Sequence, residues 1–79
     1  MEQTIESPRP LRVLRLQEVE SRTGLRRSAI YQHAGRGTFP KPIRLGGKAA
    51  GWIESEVEAW ITQRIAARDA QASSQERAP

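Results

Sequence analysis

The chain of 79 residues is long enough for one small domain and too short for two. It has no cysteine, which excludes a disulfide framework or a cysteine-ligated zinc as the staple of a small core. No apolar run approaches the roughly 18 residues of a membrane span, so a soluble protein without membrane contact is expected. The net charge of +4 is unevenly spread: residues 9–48 carry ten Arg and Lys against two Glu, a balance of +8, while the segments on either side are each −2. Such a block suits a polyanionic partner, although a solvated basic face kept for solubility has the same composition.

The opening "MEQTIESPRP" is acidic and holds two prolines. It does not have the form of a signal peptide, so a cytoplasmic protein is expected. With little to bury, residues 1–10 read as a flexible arm. "LRVLRL" is short and β-prone, an edge strand feeding the first helix. In "QEVESRTG", Val19 is the one strongly apolar residue of a brief helix, and Gly24 is placed to end it in a left-handed turn. Leu25 then plugs the core. A second helix runs from about Arg27 to Ala34, with Ile30 and Ala34 on its buried side, and Gly35 and Gly37 end it. Two short helices joined by a tight Gly-Leu turn form a helix-turn-helix.

"PIRLGGKAAGW" reads as a hairpin around a Gly46-Gly47 loop. That loop pairs Leu45 with Lys48 and Ile43 with Ala50. Ile43, Leu45, Ala50 and Trp52 then share one face, Arg44 points the other way, and Lys48 sits at the tip. The last helix opens on a capping box, Ser55 with Glu58, and carries Val57, Trp60, Ile61 and Ile65 at helical spacing. Glu54, Glu56 and Glu58 near its start and Arg64 and Arg68 near its end complement the helix dipole. This acidic start argues for a lid over the core that faces away from any nucleic acid. From Asp69 onward no large apolar residue can offset the ordering entropy, so residues 69–79 read as a disordered tail and the folded domain as residues 11–68.

Strand, helix-turn-helix, two-stranded wing and packing helix make a mostly α fold with a small β-hairpin, in the order of a winged helix-turn-helix. Residues 14–61 further resemble the AlpA family of small prophage regulators, relatives of the MerR-type and excisionase-type winged domains. The resemblance is carried by Arg15, Leu16, Glu18 and Val19, then Thr23-Gly24-Leu25, Ser28 and Ile30-Tyr31. It continues through Gly37, Phe39-Pro40-Lys41-Pro42, Leu45-Gly46 and Trp52, and closes on Ser55-Glu56-Val57 and Trp60-Ile61. It implies DNA binding near prophage or mobile-element promoters and attachment regions, with activation, repression or excision as the outcome. The family pattern usually has Ser at the position of Arg26, Thr at that of Ala29 and a basic residue at that of Gln32. Loss of the capping oxygen at position 26 should weaken the second helix by about 1 kcal/mol.

Given a double-stranded DNA partner, the second helix is the one to enter the major groove. Arg26, Arg27 and Ser28 lie in its first turn, with Tyr31, Gln32 and His33 one turn on. An arginine can pair bidentately with guanine, and Gln32 can read adenine in the same way. Tyr31 can bury its ring beside Ile30 or place its hydroxyl on a phosphate. Ser28 can instead hydrogen-bond the helix start, and Gln32 can be an idle surface amide. His33, the one histidine, has no Cys, His or carboxylate at ligand spacing, so a place near phosphate is expected rather than a metal site or a cofactor. Arg36, Lys41, Arg44 and Lys48 complete the DNA-binding set, the wing residues supplying affinity and the second helix specificity. Phe39 is expected to anchor the turn into the wing, and Trp52 and Trp60 to lie in the core.

No paired acids, nucleophile with base, or glycine-rich phosphate loop supports an enzyme. The rival readings are a module docking an integrase or another regulator, and an excision factor that bends DNA at attachment sites. RNA binding is weaker, since nothing resembles a stacking platform. A single module this small buries on the order of 600–1,000 Å² against DNA, so self-association on adjacent sites is expected.

Overall fold

Two residues begin the fold. Val13 and Leu14 form strand β1, with Leu14 fully buried. The computed structural model describes residues 11–77, with side chains as far as Ala72; the arm of residues 1–10 lies outside them. Helix α1 spans Leu16–Thr23 and buries Val19. Its cap position is Arg15, whose side chain has donors only. The helix start is therefore closed from the other side: the Glu18 carboxylate accepts the Arg15 backbone N–H at 2.9 Å. Gly24, at φ 77°, ends α1 in the left-handed conformation, and its N–H returns to the Glu20 carbonyl at 2.8 Å. The Thr23 hydroxyl accepts the Leu25 N–H at 3.1 Å and donates to the Val19 carbonyl at 2.8 Å, which fixes the turn into the next helix.

Helix α2 spans Arg27–Arg36 and buries Ile30 and Ala34. It passes through Gly35, where the sequence expects an end, and stops only at Gly37, at φ 80°. The connector that follows is held by both tryptophans. Trp60 Nε1–H donates to the Thr38 carbonyl at 2.7 Å, and Trp52 Nε1–H to the Pro40 carbonyl at 3.0 Å. Phe39 is buried between them and meets Trp60 edge-on, with centroids 4.9 Å apart. Its anchoring role is as expected, whereas Trp60 is only half-buried.

Strands β2 (Ile43–Gly46) and β3 (Ala49–Ile53) form the hairpin, and the antiparallel sheet has the order β1-β3-β2. Its register differs from the expected one. Ile43 lies opposite Gly51, Arg44 opposite Ala50 and Gly46 opposite Ala49, with an irregularity between Arg44 and Gly46. The two glycines do not form the loop together: Gly46 closes β2 and the turn is Gly47-Lys48, with φ 127° at Gly46 and 54° at Gly47. The extra residue is absorbed as a bulge at Leu45. A slip of one residue exchanges the two faces of a strand. Arg44 therefore projects on the Ala50 and Trp52 side, and Ile43 lies with Gly51 on the other. Val13 and Leu45 close over Gly51 on that outer face.

Helix α3 spans Glu54–Arg77. It starts one residue ahead of Ser55, the expected cap, because β3 runs directly into it and the Glu54 N–H continues the ladder to the Arg12 carbonyl at 2.8 Å. Val57 is fully buried, and Trp60 and Ile61 pack against the core. Ile65, expected in the same stripe, is 45% exposed because the helix has by then passed the edge of the core. The helix continues to Arg77 through the stretch that the sequence assigns to a disordered tail. That stretch holds Ala and Gln, good helix formers, but the side chains of residues 62–72 are all exposed. Leu14, Val19, Ile30, Ala34, Phe39, Trp52 and Val57 make the core, so β1, the three helices, β3 and the connector each contribute to it.

Candidate nucleic-acid interface

One side of α2 is committed to the core through Ile30 and Ala34, and the other is left open. Ser28 and Gln32 fall on that open side and Tyr31 on its flank, while Arg27 shares the stripe of Ile30 and Ala34 but stands in the first turn; all four are exposed. Arg26 occupies the cap position with extended backbone (φ −84°, ψ 161°) and forms no side-chain cap, as its lack of an acceptor requires. Arg26, like Arg27 after it, is exposed.

Eight of the ten cations of the basic block fall into two groups. Arg12 and Arg22 are neutralised in a network that ties the strand, the first helix and the last. Arg12 lies 3.3 Å from Glu18 and 3.6 Å from Glu54. Arg22 lies 2.9 Å from Glu54 and 3.7 Å from Glu58. Three carboxylates of α1 and α3 are thus spent on two arginines that face the lid. Arg26, Arg27, Arg36, Lys41, Arg44 and Lys48 are exposed and have no carboxylate partner among the described residues. Every cation in the expected DNA-binding set belongs to this second group.

A ring contact joins the helix to the wing. Tyr31 meets Trp52 edge-on at 5.7 Å between centroids and is still 43% exposed, so its ring packs while its surface stays open. Arg44, placed by the slipped register on the Trp52 side of the sheet, projects toward the side on which Tyr31 packs. Lys48 is a residue of the hairpin turn, and Lys41 is exposed on the connector. His33 is placed differently. Its Nδ1 lies 3.0 Å from the Thr38 hydroxyl, which also donates to the His33 carbonyl at 3.1 Å. The Thr38 hydroxyl thus engages Nδ1 as well as the His33 carbonyl, and Nε2 makes no contact among the described residues. The ring belongs to the closure of the α2 C-terminus. Arg15 is absent from the expected set, yet its Nε–H reaches across to the Ala50 carbonyl at 3.0 Å. No spacing in the sequence marks it, because the contact depends on where β1 stops against β3.

A family model described as the prophage CP4-57 regulatory protein (AlpA) matches residues 12–65. The chain belongs to the AlpA family. Among curated AlpA-like relatives, it is 49% identical over 57 residues to the uncharacterized protein ORF88 of Enterobacteria phage P4, a match covering 72% of this chain and 65% of that relative. It is 42% identical over 60 residues to the DNA-binding transcriptional activator AlpA of Escherichia coli (strain K12), covering 68% of this chain and 86% of the relative. The family match includes both helices of the helix-turn-helix, the hairpin and the packed part of α3. Among the described residues of this AlpA-family chain, no helix is long and apolar enough to cross a membrane.

Proposed function

We propose that this chain is a sequence-specific double-stranded-DNA-binding transcriptional regulator of prophage or mobile-element genes, with α2 in the major groove and the hairpin on the backbone or in the minor groove. The observation that carries the reading is the division of the cations: Arg12 and Arg22 are paired with acids of α1 and α3, and those on α2, the connector and the wing have no carboxylate partner among the described residues. Family membership and the similarity to the DNA-binding transcriptional activator AlpA of Escherichia coli support it.

The mechanism follows from dimensions and donor chemistry. A helix about 10–12 Å across fits a major groove about 12 Å wide, where each base pair shows its own pattern of donors and acceptors. Arg26 and Arg27 have the planar fork that matches guanine, and Gln32 the paired donor and acceptor that match adenine. Tyr31, its ring packed edge-on against Trp52, offers its hydroxyl to a phosphate at the groove edge. Arg36, Lys41, Arg44 and Lys48 supply further phosphate contacts, which fix register without reading sequence. His33, its Nδ1 engaged by Thr38, belongs to the same set through Nε2. The small contact area of one module makes two or more copies on neighbouring sites the working form on DNA.

Selection of bound duplexes from a randomised pool tests the division of labour. The native chain should enrich a defined motif, Arg27→Ala should relax preference at one or two of its positions, and Lys48→Ala should keep the motif while weakening binding to every sequence. No enrichment over background, or equal loss of preference in both variants, would contradict the proposal.

A further inference from the structure

We propose that Arg15 is a phosphate-binding residue, held in position by the wing, that adds the start of α1 to the DNA-facing surface. The inference rests on the DNA-binding reading above and concerns a residue outside the helix-turn-helix and the hairpin.

The anchor arises from how the sheet ends. β1 pairs Val13 with Ile53 and Leu14 with Trp52, so its next inward partner for Ala50 in the same register is Leu16. Leu16 is already the first residue of α1. The Ala50 carbonyl on that edge therefore has no strand to accept from, and the Arg15 Nε–H takes the place of the missing backbone donor at 3.0 Å. This bond uses one of the five N–H donors of a guanidinium. The four on the terminal nitrogens have no acceptor among the described residues, and the side chain is exposed. The nearest acid in sequence, Glu18, is occupied by the Arg15 main-chain N–H at 2.9 Å and by Arg12 at 3.3 Å. Arg15 is thus neither a neutralised arginine of the Arg12 and Arg22 kind nor a freely rotating surface cation.

Its place in the fold indicates what it meets. Ala50 lies directly opposite Arg44 and two residues from Trp52, on which Tyr31 packs. The tethered guanidinium stands where the first helix, β3 and the wing converge. It is fixed to the sheet and not to α2, at the strand residue that pairs with Arg44 of the wing. A group flanking a recognition helix meets the strand backbone, and an arginine with Nε engaged can still turn both terminal nitrogens to one phosphate. Holding the side chain beforehand reduces the rotamer entropy lost on binding.

Two substitutions separate charge from tether. Arg15→Gln keeps an N–H donor for the Ala50 carbonyl and removes the charge; Arg15→Lys keeps the charge and gives up the planar fork. Binding of the full chain to a mixed-sequence duplex is followed by fluorescence anisotropy between about 50 and 200 mM salt, with thermal melting of each variant monitored by circular dichroism. The expected result for Arg15→Gln is native-like melting, a salt slope shallower by about 0.9, and affinity roughly tenfold lower. Arg15→Lys should keep the native slope with an intermediate affinity. A Gln variant with native slope and affinity overturns the proposal and leaves Arg15 as a tie at the sheet edge. So does a loss of binding that is equal in both variants and tracks a loss of fold. A native chain that binds no duplex at low salt instead removes the DNA reading beneath it, so the two failures are distinguishable.

Discussion

Arg22 and Arg27 lie five residues apart in the same basic block, and replacing each by alanine should give opposite phenotypes. Arg22 reaches Glu54 at 2.9 Å and Glu58 at 3.7 Å from the last turn of α1, where a cation also favours the helix dipole. The Glu54 side chain is 18% exposed and that of Arg22 33%, so the pair is neither dry nor fully solvated. Exposed pairs contribute about 0.2–1 kcal/mol, and removing one member of a fully buried pair costs about 3–5 kcal/mol. In Arg22→Ala, Glu54 keeps only the longer contact to Arg12 at 3.6 Å. A cost of about 1–2 kcal/mol follows from that intermediate position. For a domain of this size, it lowers Tm by roughly 4–16 °C. Arg27 is exposed and has no carboxylate partner, so Arg27→Ala should change stability by no more than about 0.5 kcal/mol. Its effect should appear on DNA, as a loss of about 1–3 kcal/mol in binding. Thermal melting and duplex titration of both variants, below the Tm of the weaker one, measure the two axes. If Arg22→Ala flattens the salt slope as much as Arg27→Ala, or if Arg27→Ala melts the domain, the division of cations into structural and functional groups is wrong.

Two further substitutions probe neighbouring parts of the account. Arg26→Ser restores an acceptor at the α2 cap and should stabilise the domain by about 1 kcal/mol in thermal melting, while weakening duplex binding and making its salt slope shallower by about 0.9. Gly51→Ala places a Cβ against Val13 Cγ1, 3.1 Å from the Leu14 carbonyl oxygen and 3.2 Å from Leu45. Overpacking of this kind should cost about 1–3 kcal/mol in chemical denaturation, and a variant as stable as the native chain would show that β1 can shift freely.

The elements whose signals are local were legible before any coordinates. Gly24 and Gly37 mark helix ends because the left-handed backbone there favours glycine, and Val19, Ile30 and Ala34 mark buried sides by spacing alone. What could not be read depends on contacts between distant segments. The hairpin glycines allowed more than one turn, and the register was decided by the bulge at Leu45, which moved Arg44 to the Trp52 side. Ser55 offered a cap that the sheet made unnecessary, since the ladder to Arg12 starts the helix one residue earlier. Ile65 keeps the helical spacing of Val57 and Ile61, but periodicity does not report where the core beneath a helix ends. The same limit applies to the candidate site. The exposed residues of α2 followed from its buried ones, whereas the engagement of His33 by Thr38 and the tether of Arg15 on Ala50 required the folded connector and sheet. Net charge likewise counted Arg12 and Arg22 with the rest, although Glu18, Glu54 and Glu58 had already taken them.

The most direct test of the central claim is the salt dependence of native-chain binding to a duplex. If Arg26, Arg27, Arg36, Lys41, Arg44 and Lys48, together with Arg15, meet phosphates or displace their counterions, log K should fall against log salt with a slope of about −6, roughly four-thousandfold between about 50 and 200 mM. A slope near zero, or no duplex binding at the lowest salt, would contradict it.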